Sequence, residues 1–220
     1  MQSVSPVYTD SGVFVVFEGG EGAGKSTQSA LLDSWLRAEG YSVLLTREPG
    51  GTDVGAALRT ILLDHATGNL SPRAEALMYA ADKAEHVDTM ILPALDAGRV
   101  VISDRYVDST LAYQGAGRAI PQRELEDVAR WATSALRPHL TVLLDVDPTL
   151  GLSRLDSPDR LESEPVEFHQ RVREHFGQLA AADTDHYLVL DGRAPVADLH
   201  TAIVERLKRW LPQAVRSEYA

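Results

Sequence analysis

Gly19-Gly20-Glu21-Gly22-Ala23-Gly24-Lys25-Ser26 stands one residue after the apolar run Val13-Phe14-Val15-Val16-Phe17. Every position of the G-x-x-x-x-G-K-[ST] pattern is filled, and its context is a short strand before and a helix after. Glycines let successive backbone N–H groups curl around an anion with no Cβ in the way. A helix starting near Lys25 aims its N-terminal dipole at the same point. In such a loop the lysine reaches the outer phosphates and the Ser26 hydroxyl holds Mg²⁺. The stretch therefore predicts a nucleoside triphosphate site, with the destination of the phosphoryl group still open.

Outward from that loop, short apolar runs alternate with helical patterns. The runs are Val13–Phe17, Tyr41–Leu45, Val100–Ser103, Thr141–Leu144 and Tyr187–Leu190. Each is too short for a helix and nearly continuous in apolar residues, the pattern of strands buried on both faces. The first helix is predicted from Lys25 to Glu39, closed by Gly40. A second starts at Ser71-Pro72 and runs to about Asp96, bent by Pro93 and closed by Gly98. Later helices are predicted over about 122–135, 148–155, 166–182 and 196–210. Strand–helix alternation specifies right-handed crossovers and a parallel sheet. The prediction is a three-layer α/β domain over 12–211 with about five parallel strands flanked by helices. Residues 1–11 read as a flexible lead-in and 212–220 as a frayed tail.

The chain has 220 residues, 44% of them hydrophobic, enough for one domain with a sizeable core. Its formal net charge is -11, which disfavours holding nucleic acid by its backbone. Without cysteine it has no disulfide, thiolate metal site or cysteine nucleophile. No apolar run reaches membrane-spanning length, and no secretory leader pattern opens the sequence. The expectation is a cytoplasmic protein with neither nucleic-acid nor membrane partners.

Ligands of such a sheet bind at the carboxyl ends of the strands. The loops to read are 18–24, 46–52, 104–117, 145–148 and 191–195. Asp104 ends a buried strand beside the phosphate loop, where a carboxylate orders Mg²⁺ or its waters; a helix N-cap is the alternative, and Arg105 directly after it favours the metal role. Arg47, Arg105, Arg154 and Arg160 recur near loop ends, and arginine is suited to bidentate phosphate binding, although any one alone reads as a surface ion pair. Leu155–Pro165 has the composition of a lid around Arg160 and equally of a mobile surface loop. Tyr79 and Lys83, at i and i+4, share a helix face and could stack and bond a base; a core tyrosine beside a solvated lysine fits the spacing better. A GTPase reading lacks N-K-x-D, since the only asparagine is Asn69, followed by Leu70. A translocating ATPase fits poorly with the acidic composition. A kinase acting on a small anionic acceptor fits the lid and the second set of arginines.

Three segments carry a closer resemblance: Glu18-Gly19-Gly20-Glu21-Gly22-Ala23-Gly24-Lys25-Ser26-Thr27, Thr46-Arg47-Glu48-Pro49-Gly50-Gly51-Thr52, and Asp104-Arg105-Tyr106 leading into Ser109-Thr110-Leu111-Ala112-Tyr113-Gln114-Gly115. Together they make the chain similar to bacterial thymidylate kinases from about Val13 to Trp210. The resemblance implies the P-loop nucleoside monophosphate kinase fold and transfer from ATP to dTMP with Mg²⁺. It implies that Gly19 to Thr27 hold ATP, with Ser26 and Asp104 on the metal side. Arg154 would lie over the adenine, and Arg193, in the loop 191–195, near it. For dTMP it implies Glu21 on the 3′-hydroxyl, Arg47 and Arg105 on the phosphate, and Tyr79 stacked on thymine. Thr110 and Gln114 would lie along the base edge and Tyr113 beneath the sugar, with Pro49 of the R-E-P-G-G-T loop in the same pocket. Lys83 stands where the family usually has an arginine that bonds thymine O4. Some members carry a catalytic arginine inside the phosphate loop, where this chain has Gly22. Arg160 in the lid is the remaining candidate, beside Lys25 and Arg105, and the chain looks like the lid-arginine type. The resemblance also implies a homodimer. Another nucleoside monophosphate kinase is the nearest alternative, and a GTPase-like switch a distant one.

Overall fold

A computed structural model describes residues 7–215 of the chain. Five parallel strands, β1 Val13–Glu18, β2 Val43–Arg47, β3 Val100–Asp104, β4 Leu140–Asp145 and β5 Tyr187–Asp191, form one sheet in the order β2-β3-β1-β4-β5. All residues of β1 are buried, as are all but the last of β3 and β4. That is why these three read as unbroken apolar runs. On the edges, β2 and β5 bury their side chains only partly. Strand β2 lies two residues later than Tyr41–Leu45, because an edge strand buries its side chains only partly and so accommodates the polar Thr46 and Arg47.

Two apolar layers follow from the period of two along β1. Val13, Val15 and Phe17 pack with Leu32 and Leu36 of α1 (Lys25–Ala38) and Ile203 and Leu207 of the C-terminal helix. Phe14 and Val16 pack with residues of the opposite helical layer, among them Ala76, Val87, Ile91, Val107 and Leu125. Helix α2 (Asp53–Leu63) packs on α3 (Pro72–His86). Helix α3 continues through a wide turn, Val87–Ile91, into α4 (Leu92–Asp96). The bend assigned to Pro93 is thus taken up one turn earlier: proline brings no N–H for the preceding turn, and the backbone spacing widens before it. After β3, α5 (Val107–Thr110) runs through a second wide turn, Leu111–Gly117, where the sequence suggested only a loop. The remaining helices are α6 (Gln122–Ala132), α7 (Pro148–Leu152), α8 (Val166–Ala182) and α9 (Val196–Leu207). Helix α6 stops short of Ala135, since Ser134 and Ala135 take left-handed φ values of 52° and 59°.

Of the expected lead-in, residues 1–6 lie outside the described residues. Val7 bonds Ala135 and Arg137 in a parallel bridge, and Ser11 donates to the Leu95 carbonyl at 2.7 Å. At the other end Val215 N donates to Gly98 O at 2.8 Å; residues 216–220 lie outside the described residues.

The register decides where the site sits. Phe17 and Arg47 both pair with Asp104, so β1, β2 and β3 end level. The chain leaves β1 toward β2 and leaves β3 toward β4, on opposite sides of β1. Loops diverging in this way open a crevice at the strands' carboxyl ends.

Candidate active site

Gly19, Gly22 and Gly24 have φ values of 134°, 61° and 94°, which L side chains rarely adopt. The loop is also pressed against its neighbours: a Cβ on Gly22 would lie 2.2 Å from the Gly151 carbonyl of α7. Lys25, the first residue of α1, folds back over the loop and donates to Gly20 O at 2.7 Å and Gly19 O at 3.1 Å. Burial, with the Arg105 charge, lowers its pKa, and nearby carboxylates partly offset this. Ser26 Oγ donates to Asp104 Oδ2 at 3.0 Å. The hydroxyl and carboxylate expected on the metal side are therefore adjacent. Asp104 is not a helix cap, since Tyr106 occupies that position before α5.

Arg105 holds a left-handed φ of 72°, a strained geometry for a non-glycine residue and one often found at functional sites. Its guanidinium bonds Glu21 Oε1 at 2.7 Å, Ser109 Oγ at 3.1 Å and Gly19 O at 3.2 Å. It also lies 5.0 Å over the Tyr113 ring. The Tyr113 hydroxyl donates to the same Glu21 oxygen at 2.5 Å. Burial would raise the Glu21 pKa, but Arg105, Lys25 and Tyr113 outweigh it and hold it at about 2. Beneath them Glu18 is fully buried. It accepts from Tyr106 N (2.9 Å), Ser109 N (3.1 Å) and Ser109 Oγ (2.5 Å), which ties the Arg105 turn to the end of β1. Burial, reinforced by Asp108, pushes Glu18 up to about 7.

A second pocket adjoins the first. Pro49, Tyr79, Lys83, Thr110, Tyr113 and Gln114 line it, and Asp159, Leu161 and Glu162 close it from the 155–165 segment. Lys83 is 1% exposed, and its ammonium pairs with Glu48 Oε2 at 3.0 Å. Glu48 also bonds His86 Nδ1 at 2.9 Å, and His86 Nε2 lies 2.8 Å from Thr46 Oγ1. The solvated lysine favoured by spacing alone is therefore a buried one. Thr110 Oγ1 is buried with no hydrogen-bond partner among the described residues.

Glu21, Glu48, Arg59, Arg105 and Glu162 line both this pocket and the phosphate-loop cavity, and Arg47 lines the latter. Sequence reading missed Arg59, because it missed α2. Gly55 in the first turn weakened that helix pattern. Its glycine is required by packing, since a Cβ there would meet Asp82 Oδ1 at 2.4 Å. The signal that could have found α2 is Thr52, whose hydroxyl caps it by accepting from Gly55 N at 2.9 Å.

Not every expected residue converges on the phosphates. Arg160 lines neither cavity. Its guanidinium bonds the buried Glu75 at 2.5 Å and the Leu62 carbonyl at 2.8 Å. Arg154 does reach the phosphate loop, donating to Gly22 O at 2.7 Å. Arg193 is exposed and pairs with Asp191 at 2.7 Å, beyond the end of β5.

A glycine loop with its lysine, a hydroxyl–carboxylate pair and a second pocket sharing two arginines with it define a P-loop phosphotransferase with separate donor and acceptor sites. A family model for thymidylate kinase matches residues 17–203. The chain belongs to the thymidylate kinase family. It is 55% identical over 196 residues to the thymidylate kinase of Cutibacterium acnes, covering 89% of this chain and 96% of that one. With the thymidylate kinase of Clavibacter michiganensis subsp. michiganensis the identity is 52% over 200 residues, 89% and 94% of the two chains. The crystal structure of thymidylate kinase from Ehrlichia chaffeensis aligns with a TM-score of 0.75 at 31% identity, over 90% of this chain and 99% of that one. Among the described residues no helix is long and apolar enough to cross a membrane.

Proposed function

We propose that this chain transfers the γ-phosphoryl group of ATP to the 5′-phosphate of dTMP, giving ADP and dTDP. The observation that carries the reading is that both pockets open on one pair, Glu21 and Arg105. An acceptor phosphate in the second pocket then lies beside the outer phosphates of a triphosphate in the first.

One P–O bond forms to a phosphate oxygen of dTMP, and the bond from the γ-phosphorus to the β–γ bridging oxygen breaks. The attacking oxygen is already anionic, so little base catalysis is needed. The difficulty is bringing two anions together. Lys25, Arg47, Arg59 and Arg105 offset their repulsion and stabilise charge on the transferred group. Ser26 and Asp104 offer hard oxygen donors that fit Mg²⁺, a cation that takes its remaining ligands from phosphates and water. When bound, it neutralises phosphate charge.

On the acceptor side Tyr79 offers a ring for the base, and the Lys83 ammonium has donors left beyond its bond to Glu48. Glu21 has one oxygen committed to Arg105 and Tyr113, which leaves Oε2 to accept a sugar hydroxyl. Arg154, on the Gly22 carbonyl, and Arg193 are assigned to the ATP side. With its bonds to Glu75 and the Leu62 carbonyl, Arg160 acts here as a lid tether; meeting the transferred group would require it to leave Glu75. Leu77 on α3 and Trp131 on α6 are 59% and 84% exposed, which supports the homodimer implied by resemblance. We place the enzyme in the cytoplasm.

Phosphorus NMR of ATP, dTMP and Mg²⁺ with the purified chain tests the reading. Matching growth of dTDP and ADP signals, halted by EDTA, is expected. Release of inorganic phosphate without dTDP would contradict it.

A further inference from the structure

Glu75 lies on α3 behind the second pocket and is fully buried. It accepts from Arg160 Nη2 at 2.5 Å, Gln114 Nε2 at 3.0 Å and Arg118 Nε at 3.1 Å. Arg118 in turn bonds Glu164 at 2.6 Å. Two guanidiniums on one buried carboxyl hold it ionised, and an ionised carboxylate only accepts. Burial alone would raise its pKa; the hydrogen bonds from Arg118, Gln114 and Arg160 bring it below the ordinary value instead.

An amide side chain has a donor end and an acceptor end, and either can face a given neighbour unless that neighbour admits only one. Glu75 admits only the donor end of Gln114. Gln114 is 1% exposed and lines the pocket, and Nε2 is the end of its amide that faces Glu75. We propose that Glu75 is a positioning residue that fixes the polarity of the base-reading edge, obliging Gln114 to turn its carbonyl oxygen to the base. With the Lys83 ammonium as donor, the edge then offers one donor and one acceptor. That pair matches a 4-oxopyrimidine, which presents a carbonyl acceptor and a ring N–H donor. It opposes a 4-aminopyrimidine, which presents an amino donor and a ring-nitrogen acceptor at the same places. The two arginines are part of the device, because they keep Glu75 from becoming a donor.

This rests on the acceptor reading above, and the test separates the two. Steady-state kinetics with ATP and either dTMP or dCMP would be measured on the full chain, Glu75→Gln, Gln114→Met and the double variant. If wild type does not phosphorylate dTMP, the functional reading fails whatever the variants do. If it does, Glu75→Gln, whose amide accepts either end of Gln114, is expected to lower the dTMP:dCMP ratio of kcat/KM by about 10-fold or more. Gln114→Met should lower it similarly, and Glu75→Gln should change it less than about 2-fold in the Gln114→Met background. Equal losses for both acceptors, or an undiminished effect in that background, would overturn the proposal. Should Glu75→Gln fail to fold by circular dichroism, Glu75→Asp decides. It keeps an acceptor-only group, so it must retain the ratio while total activity falls, and loss of the ratio would overturn the proposal.

Discussion

Lys25 bonds the carbonyls of its own loop, at 2.7 Å and 3.1 Å, so its charge waits at the place where triphosphate oxygens would lie. Lys25→Ala is expected to abolish phosphoryl transfer while leaving the thermal transition close to wild type; near-normal turnover would move the ATP site elsewhere. Glu18 carries a pH signature. Its folded-state pKa, raised from 4.5 to about 7, means that the native state binds its proton more tightly than the unfolded chain does. That contribution is fully present below pH 4.5 and is lost as pH rises through about 7. In urea titrations wild type should therefore lose stability relative to Glu18→Gln across this window, by on the order of 3 kcal/mol. Parallel pH profiles would refute it. At this scale the sequence was legible where chemistry and spacing coincide, as in Lys25, Ser26 and Asp104. It was not legible where a tertiary partner decides: nothing at i, i+4 spacing reveals that Lys83 is buried on Glu48, or that Arg160 finds Glu75.

At the scale of elements, the phosphate loop and α7 are in backbone contact through Gly22 and Gly151. Gly22→Ala adds a Cβ 2.2 Å from a carbonyl oxygen at a left-handed φ of 61°, and a backbone oxygen cannot swing aside. The loss in unfolding free energy should be about 2 kcal/mol or more, checked by urea denaturation. An arginine cannot be placed there without the same clash, so the loop adds no arginine to the charge of Lys25. The lid then matters. Arg160→Ala should raise KM for dTMP and leave kcat within about 10-fold, because a tether contributes to binding rather than to the transition state. A loss of about 10³ in kcat at unchanged KM would instead mean that Arg160 leaves Glu75 to meet the transferred phosphoryl, as arginine fingers do. Among the elements, the three central strands were plain because burial on both faces leaves only apolar residues. Helix α2 and the turns at 87–91 and 111–117 were not, because Asp82 against Gly55 and the missing N–H of Pro93 act through packing and backbone spacing rather than pattern.

In the whole molecule, a chain of net charge -11 gathers Lys25, Arg47, Arg59 and Arg105 around one crevice. Level ends of β1, β2 and β3 bring three sequence segments there. On the proposed reading that convergence holds the acceptor phosphate, while Lys83 and Gln114 in the second pocket set the base preference. The direct measurement is initial rates with ATP and Mg²⁺ across the nucleoside 5′-monophosphates as acceptors, for the purified full-length chain. The highest kcat/KM is expected for dTMP, with dUMP about 10–200-fold lower for lack of one methyl group and dCMP and AMP lower still. Robust turnover of AMP or CMP with none of dTMP would contradict the account.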